Sequence, residues 1–73
     1  SPYPGARGHI EGIGDVKIFE VKVSDKKLSP GEVIIDGSNL IVGAGDNRSL
    51  EVVSLQAPGK RRMPVADFLR GLR

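Results

Sequence analysis

Lys60, Arg61 and Arg62 are three consecutive cations, set just after Ala57-Pro58-Gly59 and just before Met63-Pro64. Cations gathered in a turn raise the local potential and attract anions, a phosphate backbone or an acidic surface in particular. The overall balance is mild, eleven Lys and Arg against nine Asp and Glu for a net +2, but its placement is uneven. Residues 60–73 hold five cations against Asp67 alone, a net +4, whereas residues 1–59 hold six against eight carboxylates, a net −2. A solubilising tail is the plainer reading of the same charge. Lys17 and Lys22 on a strand face and Lys26-Lys27 in a loop complete the candidates for an anionic partner. Read as solvated surface lysines, these four would contribute little.

Other chemistries have little to build on. His9 is the only histidine and there is no cysteine, which leaves no His-containing metal cluster and no thiolate nucleophile. The nine carboxylates are scattered among turns and polar strand positions, and no spacing selects an acid/base pair. Gly12-Ile13-Gly14 and Gly43-Ala44-Gly45 look like pieces of phosphate loops, but neither opens a helix as that mechanism requires. Catalysis by this chain alone is therefore not expected. Of the three aromatics, Phe19 and Phe68 sit at predicted core positions and only Tyr3 is left over, so base stacking cannot be the main source of affinity. Sequence-blind contact with phosphates survives, and it suits a folded RNA helix, whose deep major groove hides base identity from side chains.

Seventy-three residues are enough for one small unit with a marginal core. The composition, 38% hydrophobic and 27% charged, is that of a globular chain. Without cysteines no disulfide can staple it. No apolar run approaches the ~20 residues a bilayer requires. Nor is there a secretory h-region, and a cytoplasmic protein without a membrane partner is expected. The sequence begins at Ser1 without an initiator methionine, as expected of a processed product or an excised domain.

The cations need a scaffold, and the hydrophobic pattern supplies one. Residues 1–14 hold four Gly and two Pro and read as an entering segment ending in a short edge strand. Residues 16–23 read as a strand in which Val16 and Ile18 hand the buried face to Phe19, Val21 and Val23, a phase slip that a β-bulge repairs. Pro30-Gly31 marks a turn, and residues 32–35 and 40–42 form a hairpin across Asp36-Gly37-Ser38-Asn39. Gly43, Gly45, Asp46 and Asn47 make the next break. Residues 50–55 form a strand that slips again, from Leu50 and Val52 to Val53 and Leu55. Two slipped strands suggest a sheet curling on itself into a small barrel. After Pro64, Val65, Phe68, Leu69 and Leu72 fall on one stripe of a helix of about nine residues, which must lie across an opening of the barrel.

Residues 54–63 (SLQAPGKRRM), followed by Ala66-Asp67-Phe68-Leu69-Arg70-Gly71, resemble the end of the C-terminal domain of bacterial methionyl-tRNA formyltransferase. Ser1-Pro2-Tyr3-Pro4-Gly5-Ala6, Pro30-Gly31-Glu32-Val33 and Val42-Gly43-Ala44-Gly45-Asp46 are similar to earlier pieces of that domain, in the same order. The resemblance implies a mostly β fold, a small OB-like open β-barrel with a short C-terminal α-helix, spanning residues 15–73 behind the entering segment 1–14. It implies a noncatalytic tRNA-binding role in translation initiation. The parent enzyme's N-terminal catalytic domain would carry the reaction, with 10-formyltetrahydrofolate as formyl donor and initiator tRNA held by its backbone. Only Lys60, Arg61 and Arg62 match the family's basic motif; Lys17, Lys22, Lys26 and Lys27 rest on charge alone. Two departures stand out. Pro64 replaces the family's usual Ser or Thr, removing an N-cap hydroxyl typically worth ~1 kcal/mol. Residues 7–14 replace a more apolar, aromatic-containing first strand. Two alternatives remain open: the equivalent domain of a sugar-nucleotide formyltransferase, and a purely structural domain.

Overall fold

The computed structural model describes residues 6–72. Six strands and one helix follow in the order β1 (Ala6–Ile10), β2 (Gly14–Ser24), β3 (Val33–Asp36), β4 (Asn39–Gly45), β5 (Arg48–Gln56), β6 (Met63–Pro64) and α1 (Val65–Gly71). Every pairing is antiparallel and the sheet order is β1-β2-β5-β4-β3. β6 pairs with Ser54 and Leu55 of β5, beyond Val52, where β4 has stopped pairing. The result is an open, curled half-barrel closed at one side by the helix.

Both phase slips are bulges, and they compensate each other. Lys17 and Ile18 face Gln56 and Leu55, and Val21 and Lys22 face Val52 and Glu51, in one common register. Between them only Glu20 and Ser54 pair, which leaves Phe19 as the extra residue on β2 and Val53 as the extra residue on β5. A bulge bends its strand and sharpens the twist, so facing bulges at the middle of the sheet curl it without losing register at either end. A third bulge leaves Ala44 unpaired between Gly43 and Gly45. The break expected over residues 43–47 is thereby confined to Asp46 and Asn47, whose φ values of 52° and 57° make the two-residue turn that fits the strand twist.

The entering segment contains a true strand. β1 pairs with β2 from Ala6 opposite Ile18 to Ile10 opposite Gly14, at the sheet edge, and Ile10 is buried in the core. Ile10, 5% exposed, fills the interior at the end of this strand.

Val65, Phe68 and Leu69 of α1 join Ile10, Val16, Leu40, Val52 and Leu55 in one buried cluster. Pro64 occupies the N-cap with φ −60° and ψ 148° and offers no side-chain cap, so the helix is held by burial. Three apolar residues assigned to the core lie elsewhere: Val21 is 38% exposed, Val23 83% and Leu72 52%. The cause is the reach of the helix, which packs on β5, β6 and β4. In the row Val21–Val52–Leu40–Ile35 the two central residues are fully buried, while Val21 and Ile35 project past the helix on either flank. Leu72 is the C-cap, beyond the last helical turn. Val23→Thr should accordingly shift stability by less than about 0.5 kcal/mol, read from the urea midpoint.

The opposite face carries its own small apolar contact. Residues 25–32 fold back so that Leu28, 5% exposed, lies against Gly43. Pro30 and Gly31 (φ 84°) turn the chain, the Glu32 N–H donating to the Ser29 carbonyl at 3.0 Å. The Gly43 N–H then donates to the Glu32 carbonyl at 2.8 Å, and the fully buried Ser49 hydroxyl donates to the Lys26 carbonyl at 2.7 Å.

Candidate nucleic-acid interface

The connection from β5 to β6 carries the basic triplet and is anchored at both ends. On one side the Lys60 N–H donates to the Ala57 carbonyl at 3.1 Å, a turn made possible by Gly59 at φ 74°. The Gln56 side-chain amide reaches across it to the Lys60 carbonyl at 2.8 Å. On the other side Met63 and Pro64 join the sheet as β6. Fixing the backbone in this way lowers the ordering cost of any contact its side chains make.

Lys60, Arg61 and Arg62 are all exposed, yet they are not equivalent. Among the described residues the ion pairs are His9–Asp15, Arg62–Glu20 and Arg70–Asp67, so Lys60 and Arg61 have none. Arg62 is committed: its guanidinium lies 4.7 Å from the centroid of the Phe19 ring, and Nη2 is 3.2 Å from Oε1 of Glu20. The same oxygen accepts the Ser54 hydroxyl at 3.3 Å. Phe19, expected in the core, is half-buried because it is the bulged residue of β2, and its ring serves as the seat of Arg62. An exposed ion pair and an exposed cation–π contact are each worth up to about 1 kcal/mol, which biases the guanidinium without burying it. The Arg62 side chain remains 52% exposed.

The four lysines separate into two groups. Lys17 stands directly between Arg7 of β1 and Gln56 of β5, on the face opposite Val16, beside the turn that leads to Lys60. Lys22 lies further along β2, paired with Glu51. Lys26 and Lys27 are exposed in the loop beyond the other end of β2, where the Lys26 carbonyl is held by Ser49. Lys17 thus joins the triplet around the Gln56 end of β5, and Lys26 and Lys27 do not.

Arg7 does not stand out in the sequence, because its glycine- and proline-rich segment reads as a connector. The signal lay in the Glu11-Gly12-Ile13 turn: a hairpin closed there, with the Ile13 N–H donating to the Ile10 carbonyl at 2.9 Å, sets His9 against Asp15 and Arg7 against Lys17. His9 Nδ1 lies 2.8 Å from the Asp15 carboxylate, so the lone histidine is engaged in an exposed cross-strand contact. Gly43-Ala44-Gly45 is a bulge rather than a phosphate loop. Tyr3 lies outside the described residues. Among the described residues no group of three or more His, Cys, Asp or Glu is placed to hold a metal ion, and no helix is long and apolar enough to cross a membrane.

A half-barrel with a C-terminal helix and two uncommitted cations on an anchored edge loop defines a small β domain that presents charge to solvent. The family model described as formyl transferase, C-terminal domain, matches residues 1–73, and the chain belongs to that family. It is 44% identical over 73 residues to a methionyl-tRNA formyltransferase of Koribacter versatilis, covering 100% of this chain and 23% of the relative. A methionyl-tRNA formyltransferase of Streptococcus agalactiae is 39% identical over 71 residues, covering 97% of this chain and 22% of the relative. One from Bradyrhizobium diazoefficiens is 36% identical over 75 residues, covering 99% and 23%. The chain therefore spans about a quarter of the length of these transferases.

Proposed function

We propose that this chain is the tRNA-binding C-terminal domain of a cytoplasmic methionyl-tRNA formyltransferase. It grips the backbone of initiator tRNA while a neighbouring N-terminal domain formylates the methionine, with 10-formyltetrahydrofolate carried by that neighbour. The observation that carries the reading is the pair Lys60 and Arg61, exposed and without ion-pair partners among the described residues, on a loop anchored at both ends. Arg62 and Lys17 flank them; Lys22, further along β2, and Lys26 and Lys27, in the loop beyond its other end, would add separate contacts on charge alone. The relatives' activity on methionyl-tRNA favours RNA over an amino-sugar nucleotide as the partner of this face.

A purely structural role and RNA binding differ in salt dependence. Each phosphate contact contributes a slope of about −0.9 in log affinity against log salt, taking the duplex-DNA coefficient as a stand-in. Four contacts then predict roughly 100-fold weaker binding of initiator tRNA at 200 mM than at 50 mM salt. The double variant Lys60→Ala, Arg61→Ala should reduce the magnitude of that slope by nearly two while leaving the melting temperature unchanged, because neither side chain has an ion-pair partner to lose among the described residues. Binding that ignores both salt and these two residues would favour the structural role.

A further inference from the structure

We infer that the cleft between the β1–β2 hairpin and the turn at residues 57–60 is a seat for a single phosphate group. On the reading proposed above, on which this inference rests, that phosphate is a phosphodiester of the bound RNA. The cleft has a volume of about 380 Å³, and Arg7, Asp15, Lys17 and Gln56 line it together with the apolar Val16 and Ala57 and the turn that follows. Arg7 and Lys17 are direct cross-strand partners. Like charges set opposite one another on a sheet are destabilising, and here neither has an ion-pair partner among the described residues. An anion between them turns that repulsion into two charge-assisted contacts. Asp15 also lines the cleft; its carboxylate accepts a hydrogen bond from His9 Nδ1 at 2.8 Å and lies two cross-strand pairs along from Arg7 and Lys17, so the two cations outnumber it. Gln56 ends the cross-strand row Arg7–Lys17–Gln56 and, through its bond to the Lys60 carbonyl, ties it to the opposite wall. The seat is thus continuous with the Lys60 loop, so one strand of RNA backbone can cross both.

The juxtaposition makes stability and binding move in opposite directions on removal of Arg7. Arg7→Thr should raise the melting temperature of the free chain by up to about 4 °C, because the like-charge pair is gone. The same change should weaken binding of initiator tRNA roughly three- to tenfold and take about 0.9 from the magnitude of the salt slope, whereas Arg7→Lys retains both. Inorganic phosphate titrated into the wild-type chain should shift the NMR signals of Arg7, Lys17 and Gly59 saturably, and should leave those of Lys17 and Gly59 unmoved in Arg7→Thr. If Arg7→Thr binds tRNA with unchanged affinity and slope while the Lys60→Ala, Arg61→Ala variant is weakened, the phosphate seat is overturned and RNA binding stands. If wild type ignores tRNA but phosphate still shifts the cleft signals, the seat stands and the RNA reading falls. Signals unmoved by phosphate, together with no effect of Arg7→Thr on tRNA, overturn the seat outright.

Discussion

Gly43→Ala is expected to remove about 2–5 kcal/mol of stability, much of the roughly 4–11 kcal/mol available to a chain of this length. A Cβ at position 43 would stand 1.9 Å from the Ser29 carbonyl oxygen and 2.8 Å from its carbon, both backbone atoms that no rotamer change can clear. Either β4 or the loop of residues 25–32 must move. Moving the loop exposes Leu28, whose burial is worth about 1.5–3 kcal/mol. It also strands the buried Ser49 hydroxyl, a loss of about 1–3 kcal/mol. Gly8→Ala is the matched control: its Cβ would meet only the Ile18 Cδ1, at 3.9 Å, an ordinary contact. Urea denaturation should therefore separate the two alanines by most of the full effect. Equal midpoints for Gly43→Ala and wild type would mean that the loop does not rest on β4.

That glycine also shows which features could be read from the sequence. Local signals with a single physical cause were legible. The slips at Ile18-Phe19 and Val52-Val53 gave the bulges, Pro30-Gly31 gave its turn, and Gly37-Ser38 gave the β3–β4 hairpin. Features set by distant pairing were not. Gly43 looked like part of a break because its reason, the Ser29 carbonyl, lies fourteen residues away in sequence. Leu28 had no periodic neighbours, and its burial depends on a loop crossing the sheet. Phe19 has the side chain of a core residue and its type points inside, whereas the bulge puts its ring under a guanidinium. The basic triplet was legible as charge, but the difference between Arg62, paired with Glu20, and the uncommitted Lys60 and Arg61 required the register of β2 against β5.

The apolar stripe of the C-terminal helix gives the second large effect, because sequence and structure disagree over one of its four members. Periodicity alone treats Val65, Phe68, Leu69 and Leu72 alike. In the fold the first three are buried and belong to the single main cluster, while Leu72 follows the last turn and is 52% exposed. Phe68→Ala should cost about 3–5 kcal/mol and Leu72→Ala less than about 1 kcal/mol. The difference is magnified by the helix having no side-chain cap and only seven residues, too few to persist without tertiary contact. Loss of Phe68 therefore frees more than one ring: α1 detaches, β6 loses the element that follows it, and the Lys60 loop loses its downstream anchor. Thermal melts should show the stability difference. The sharper reading is hydrogen exchange at Met63, whose strand pairing with Leu55 should lose protection in Phe68→Ala and keep it in Leu72→Ala. Equal cost at the two positions would mean that the helix lies on the sheet in a different rotation, with Leu72 inside.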